Sequence, residues 1–325
     1  MLNWHLLNSL HKWLRLVHDM CAKLVWSGHV RIYRFYEQGH LFRVVLSVLH
    51  IMHDLDETAG VDSFAEGRSV CYMEVDKLKP LRSKWLKTKV ILNNGAIKPF
   101  IPDTQRYNKA NLRSMLSRYG MVYIKPEIGT YGMGVIKAEM VSHQNFAYQI
   151  EQKRLSFDNF DSFHASLARL VHKRSYLIQR GIDLLKHNKR RFDIRVMIQL
   201  SPDKQWEATG IIGRLGHPKK IVTNYHSGGK PMDVHRLLES HASLKRRNEL
   251  IHEMNELGLR IARHMKKKYP YLKQIGVDIG LDRRLKPWII EVNVKPDPYI
   301  FNQLKDKTMY RRVIKYYRHA AKKSK

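Results

Sequence analysis

The sequence predicts an α+β fold, and three observations carry that expectation. From about Pro99 onward, strand-like segments alternate with segments of helical period, several of the strands joined as hairpins. One of these hairpins, Met121–Lys137, is rich in glycine; another, Val277–Pro296, is rich in oxygen ligands. The chain has 325 residues, 43% of them apolar, which is enough for one large domain or two to three modest ones with real cores.

Taken in order, Leu6, Leu10, Trp13, Val17, Met20 and Leu24 follow the spacing of one helix face, so Leu2–Trp26 is expected to be helical. Lys12, Arg15, Asp19 and Lys23 lie among them. Packing on its own protein is the expected use of that face, and lying on a membrane surface is the alternative. Leu41–Met52 is a second helix, followed by a polar loop through Gly67; His50, His53, Asp54 and Asp56 fall on a helix end and loop without a further ligand cluster. Cys71–Val75 and Val90–Leu92 read as short strands, with Lys77–Lys89 a basic connection. Residues 1–98 thus form a basic, partly helical N-terminal region. Pro99, Pro102 and Asp103–Thr104 punctuate the chain before a helix, Tyr107–Tyr119, that stops at Gly120. The main domain, residues 99–300, is expected to begin there.

Within that domain a strand ends at Lys125, and another starts at Val135 after the glycine-rich turn. Phe163–Lys173 is helical, and Tyr176–Gln179, Phe192–Leu200 and Trp206–Arg214 are strands. Leu244–Lys268 is a long cationic helix that leads into the second hairpin. Phe301–Ala321, with Tyr310, Ile314 and Tyr317 along one face, makes residues 301–325 a basic C-terminal helix. There is no internal repeat.

The hairpins carry the chemistry. In VDIGLDRRLKPWIIEVNVKP, strands Val277–Leu281 and Trp288–Val292 flank a polar Asp282–Arg284 turn. Glu291 and Asn293 are two apart and point to one face, and Asp278 on the partner strand can be brought beside them. Two carboxylates and an amide oxygen form a hard ligand set of the kind that holds Mg²⁺ against phosphates. In MVYIKPEIGTYGMGVIK, Gly129, Thr130, Gly132 and Gly134 form a turn whose backbone N–H groups can approach phosphate oxygens, and Lys125 adds a point charge. A strand follows where a P-loop needs a helix, and both the G-K-[ST] ending and the G-x-G-x-x-G spacing are missing.

Together these blocks resemble the ATP-grasp superfamily of carboxylate–amine ligases. SYLIQRGIDLL (Ser175–Leu185), RFDIRVMIQ (Arg191–Gln199) and WEATGIIGRLGHPKKIVTNYHSGG (Trp206–Gly229) are similar to successive blocks of its YheC/YheD endospore coat-associated family. The similarity runs from about Pro99 to about Pro296, roughly three-fifths of the chain. It implies two α+β subdomains gripping ATP, with residues 1–98 standing where a reduced pre-ATP-grasp domain would. Adenine is then expected at Gln179, Gly181 and Ile182, with Asp183 either near ribose or a plain loop residue. Phosphates are expected at Lys125 and under a lid of Gly129–Gly134. Lys109 either reaches the phosphates or is an ordinary exposed helix lysine. Asp278, Glu291 and Asn293 are expected to hold Mg²⁺, with Mn²⁺ as the alternative. Arg195 and Arg214 are the candidates for stabilising the transferring phosphoryl group or an oxyanion. Asp193 is expected to orient Arg195, and Asn224 to donate to phosphate or substrate unless it only makes a turn.

The implied reaction is ATP-dependent joining of a carboxylate to an amine through an acyl phosphate, in coat or envelope assembly of a spore-forming bacterium. A nucleotide-binding coat protein without turnover and an ATP-grasp kinase are the alternatives. Two departures bear on substrate choice: Asp297 follows Pro296 where the family commonly has glycine, and the first 90 residues are short, basic and more helical than the usual preceding domain.

A net charge of +30 attracts polyanions, including nucleotide and anionic coat or envelope components. Neither a C₂H₂ spacing nor an RNP-type aromatic signature is present, so sequence-specific nucleic-acid recognition is not expected. Cys21 and Cys71 lie far apart and outside any C-x-x-C pattern, which argues against a disulfide framework or zinc site. No apolar run approaches the roughly 20 residues needed to span a bilayer. The N-terminus lacks the pattern of a secretory signal, so a cytoplasmic location is the expectation; spore coat association is what the family resemblance adds.

Overall fold

Two antiparallel sheets face each other, each backed by helices. The computed structural model describes residues 79–322, all within the unit Val70–Lys325. The expected helices Leu2–Trp26 and Leu41–Met52, the strand Cys71–Val75 and the His50–Asp56 group lie outside the described residues.

The first sheet has the order β1-β6-β2-β3-β4-β5, formed by β1 (Thr104–Arg106), β2 (Met121–Pro126), β3 (Ile136–Met140), β4 (Phe146–Ile150), β5 (Lys153–Phe157) and β6 (Tyr176–Arg180). Along β2 burial alternates: Val122 and Ile124 enter a core with Leu112, Leu116, Phe163 and Leu167, while Tyr123 and Lys125 point the other way. That core is closed by α2 (Lys109–Tyr119) and α3 (Phe160–Val171). Asn108 caps α2 by accepting from the Asn111 N–H at 2.7 Å, and Asn159 caps α3 from the Ser162 N–H at 2.8 Å. Gly120 ends α2 at φ 69°, a conformation that suits a residue without Cβ.

The second sheet has the order β10-β9-β8-β11-β12, formed by β8 (Arg190–Leu200), β9 (Trp206–Leu215), β10 (Lys230–Met232), β11 (Gln274–Leu281) and β12 (Pro287–Asn293); the short β7 (Lys186–His187) pairs with β8. One face, including Ile194, Val196 and Ile198, packs on Leu250, Met254, Leu257 and Ile261 of the long helix α5 (Leu244–Lys268). The short helix α4 (Val234–Leu238) joins the same core through Leu237 and Leu238. The opposite face is partly covered by α6 (Thr308–Lys322), where Met197 and Ile212 meet Phe301 and Val313. The rest of that face is left open toward the first sheet.

Several expectations change. Val90–Leu92 is not a strand, and Lys77–Lys89 is not wholly a connection: both belong in part to α1 (Lys84–Leu92). Ser83 caps α1 by accepting from the Leu86 N–H at 3.1 Å, and Ile91 buries itself in the α5 core. Tertiary packing thus overrides the β-branched pair Val90–Ile91. The C-terminal helix starts at Thr308, because Phe301 lies in a separate 3₁₀ turn, Tyr299–Gln303. Strands β1, β4, β5, β7 and β10 were not expected; all are short edge or hairpin strands with weak alternation. Among the described residues no helix is long and apolar enough to cross a membrane.

Candidate functional site

A cavity of about 910 Å³ opens between the two sheets. Its floor is a row of charges set by strand register. In β8, Asp193 and Arg195 are two apart and share a face. Register places Asp193 opposite Arg214 of β9, and Arg195 opposite Asp278 of β11. Across the next pair, Asp278 stands opposite Glu291, and Gly276 opposite Asn293. Four strands thereby deliver two arginines, three carboxylates and an amide to one surface.

These groups are interlocked. Arg214 Nε donates to Asp193 Oδ1 at 2.8 Å, and Arg214 Nη2 bonds the other oxygen of Asp193 and lies 2.9 Å from Asp278 Oδ2. Arg195 grips Asp278 through Nε and through Nη2, the latter at 3.1 Å, and Asn293 Nδ2 donates to Asp278 Oδ2 at 3.2 Å. Burial alone would raise the pKa of Asp278, but Arg195 and Arg214 outweigh it and hold the carboxyl well below its usual range. Burial works against the Arg214 charge too, and Asp193 and Asp278 reverse it, so this guanidinium stays protonated. The expected Asp193–Arg195 partnership is therefore corrected: Asp193 holds Arg214, and Arg195 belongs to Asp278.

The facing wall comes from the first sheet. Lys125 Nζ donates to Gln179 Oε1 at 2.5 Å and lies 3.4 Å from the Ile290 carbonyl. Burial pushes its pKa down to about 8, with Lys84 acting in the same direction against the attraction of Glu291 and Asp278. Lys84, on the first turn of α1, donates to the Gly129 carbonyl at 2.8 Å and stands 3.7 Å from Glu291. Its neighbour Ser83 donates to Glu127 Oε1 at 2.5 Å, and the Lys84 N–H bonds the Glu127 carbonyl at 3.0 Å. The start of α1 is thus tied to the start of the glycine-rich loop. Lys87, also buried near Glu291, has its pKa lowered by burial.

The glycine-rich loop arches over the cavity. Gly132 and Gly134 have φ of 74° and 71°. Among the described residues the N–H groups of Thr130, Tyr131, Gly132 and Gly134 have no hydrogen-bond partner, which leaves a set of donors at the roof. The loop meets the second sheet's Asn224–Gly229 turn: Ser227 Oγ donates to the Tyr131 carbonyl at 3.0 Å, and the Tyr131 and His226 rings lie 4.2 Å apart. Asn224 lines the cavity, and its carbonyl accepts from Ser227 and Gly229.

Asp278, Glu291 and Asn293 offer two carboxylates and an amide oxygen side by side, a donor set that fits a hard divalent cation. Among the described residues no group of three His, Cys, Asp or Glu side chains could hold a metal. A cation here would draw its remaining ligands from phosphate and water.

Residues 78–322 match the family model described as YheC/D like ATP-grasp. The chain belongs to the YheC/D-like ATP-grasp family. Two curated relatives, both from Bacillus subtilis (strain 168), accompany that match. Endospore coat-associated protein YheD is 26% identical over 233 residues, which cover 69% of this chain and 50% of YheD. Endospore coat-associated protein YheC is 24% identical over 220 residues, which cover 66% of this chain and 60% of YheC. The match thus spans only about half to three-fifths of these relatives. Among solved structures, D-cycloserine synthetase DcsG is similar at 11% identity with a TM-score of 0.48, covering 76% of this chain and 72% of that one. The D-alanine–D-alanine ligase from Coxiella burnetii is similar at 10% identity with a TM-score of 0.40, covering 74% of this chain and 59% of that one. Both the α+β fold class and the family resemblance expected from sequence hold.

In this YheC/D-like ATP-grasp chain, the cavity takes in Lys125, Gly129, Thr130, Gly132, Gln179, Ile182, Arg195, Arg214, Asn224, Asp278, Glu291 and Asn293. Gly134 belongs to the same loop but packs against Pro126 and Tyr176 and does not line the cavity. Two further expected residues are not brought to it. Lys109 is 56% exposed and pairs with Asp161 at 2.8 Å, away from the cavity. Gly181 is instead required by packing, because a Cβ there would lie 2.9 Å from the Met121 carbonyl oxygen. The N–H groups of Arg180 and Gly181 are spent on the Asp103 and Met121 carbonyls, which leaves that of Ile182 unpaired within the described residues. Lys84 was missed. Its one sequence signal was Ser83 ahead of a helix-compatible run, masked by the lysine-rich surroundings.

Proposed function

We propose that this chain is an ATP- and Mg²⁺-dependent ligase that joins a carboxylate to an amine through an acyl phosphate. The observation that carries the reading is the opposition of two walls: Lys84 and Lys125 beneath a roof of free N–H donors on one side, and the Arg214–Asp278–Arg195 row on the other. Around the charge row and its facing wall, Lys84, Lys125, Arg195 and Arg214 outnumber Asp193, Asp278 and Glu291, an excess of positive charge suited to a triphosphate. Adenine would lie against Ile182, with its edge read by the unpaired N–H. Asp278, Glu291 and Asn293 would hold Mg²⁺ (or Mn²⁺), which would neutralise phosphate charge as the bond is transferred.

The chain's own residues then position the reaction. Arg195 and Arg214 are forks suited to a carboxylate or phosphoryl group, and both are buried, so their charge is little screened. Neither phosphoryl transfer nor acyl transfer needs a protein nucleophile, and the work is orientation and charge stabilisation. The names of YheD and YheC support a role in endospore coat or envelope assembly, and the excess positive charge suits anionic material there.

The test is ADP release from ATP and Mg²⁺ in the presence of metabolite pools, with products followed by mass. Release that depends on an acid and an amine, with loss of water in the joined product, supports the ligase. Phosphate retained in the product marks a kinase, and no turnover with any pool marks a nucleotide-binding coat protein.

A further inference from the structure

The cavity does not end at the charge row. Beyond Asn293 it continues between the Tyr271–Gln274 turn, the segment leaving β12 and the last turns of α6. Tyr271, Tyr299 and Tyr317 line this end, the last two with their rings edge to face at 6.4 Å. Gly276 joins the two ends: a Cβ there would lie 2.7 Å from Pro296 Cβ and 3.1 Å from Arg195 Cδ. Pro296, the residue before Asp297, and the stem of Arg195 therefore both close in on Gly276.

Among the described residues four carboxylates reach the cavity, Asp193, Asp278, Glu291 and Asp297. The first two are locked to arginines, and Glu291 faces Lys84. Asp297 differs. Its Oδ1 accepts from the Tyr299 N–H at 2.8 Å, and its Oδ2 has no hydrogen bond or ion pair among the described residues, even with Lys295 two positions away. A half-buried carboxylate with one free oxygen, at the tyrosine-lined end, is an electrostatic complement for a cation.

Resting on the ligase reading, we propose that Asp297 binds the acceptor substrate, and that this acceptor is a primary amine held as its ammonium form between Asp297 and the tyrosines. The ammonium loses one proton to water before it attacks. Its lone pair then forms the C–N bond at the acyl carbon, while the C–O bond to phosphate breaks and the phosphate leaves with that electron pair. The remaining surplus N–H proton departs to the phosphate. Asp297 supplies binding and orientation and undergoes no bond change.

The test uses hydroxylamine, a small nucleophile that is uncharged at neutral pH and traps acyl phosphates as hydroxamates. The full chain is assayed with ATP, Mg²⁺ and a panel of carboxylic acids, first with hydroxylamine and then with a panel of primary amines. In Asp297→Asn the amide oxygen can keep the Tyr299 bond while the charge is removed. The ratio of amine ligation to hydroxamate formation should fall at least about tenfold in this variant, the size expected for one lost charge-assisted hydrogen bond, and Asp297→Glu should restore part of it. An unchanged ratio overturns the assignment of Asp297 and leaves the ligase reading standing. A parent protein that forms no hydroxamate with any acid overturns the ligase reading, and this inference with it.

Discussion

Arg214 lies 2.9 Å from Asp278 while its Nε stays bonded to Asp193 at 2.8 Å, so it can let go of Asp278 without becoming an unpaired buried charge. That matters because Asp278 is also one of the proposed metal ligands. With Asp193 as a second anchor, Arg214 can turn an N–H toward a phosphoryl or acyl oxygen as Asp278 changes partners. Arg214→Ala should lower turnover more than ATP affinity, as expected for an interaction made mainly in the transition state. It should also cost about 3 kcal/mol of folding stability, since Asp193 would be left buried without its partner. Denaturant titration beside steady-state kinetics reads both, and equal losses in affinity and turnover would count against the role.

Asp278→Asn and Glu291→Gln should each lower Mg²⁺-dependent turnover by at least about tenfold, or 1.4 kcal/mol of barrier. Their effects on stability should diverge. Asp278→Asn leaves Arg195 without its ion-pair partner, whereas among the described residues Glu291 makes only the 3.7 Å contact with Lys84. Thermal melts should therefore show a loss for Asp278→Asn and little change for Glu291→Gln. Full turnover in either variant would remove that residue from the proposed metal set.

Lys125 gives a pH signature. Burial sets its pKa at about 8, below the usual lysine range. Because the folded-state value is depressed, charging Lys125 costs stability at pH below about 8, and that cost is relieved as pH rises from 8 toward the ordinary lysine value. ATP binding should follow the opposite trend, since phosphates need the charged form. Affinity should fall as pH rises through about 8 in the parent, and that step should be absent from Lys125→Met. Calorimetric titrations at fixed salt would show it; a parent profile flat from pH 7 to 10 would contradict it.

Lys84 and Lys109 make a direct comparison. Lys84→Ala should weaken ATP binding about tenfold, because it removes a cation of the phosphate wall and the bond to Gly129. Lys109→Ala should leave ATP binding unaltered, since Lys109 sits on the outer face of α2 paired with Asp161. The reverse order of effects would restore the expectation drawn from the sequence.

Spacing along the chain decided which side chains share a face. The two-residue intervals Asp193–Arg195 and Glu291–Asn293 place each pair on one side of a strand, and the glycines of the 129–134 turn mark a loop that brings backbone close to ligand. Asn108, Asn159 and Ser243 cap three helices in the structure, a signal that the expected starts at Tyr107 and Phe163 did not use. Partners were another matter. Whether Asp193 meets Arg195 or Arg214 depends on the register of β8 against β9 and β11, which long-range pairing sets and local periodicity does not. Lys84 reaches Gly129 because α1 packs its apolar residues against α5, far along the chain, and this swings the first turn of α1 over the glycine-rich loop. Lys109 is turned away because α2 buries Leu112, Met115 and Leu116 against the other face of the first sheet. The residues and their faces are local properties of the sequence, whereas the pairing of charges across the cavity arises only when two separately cored sheets are brought together.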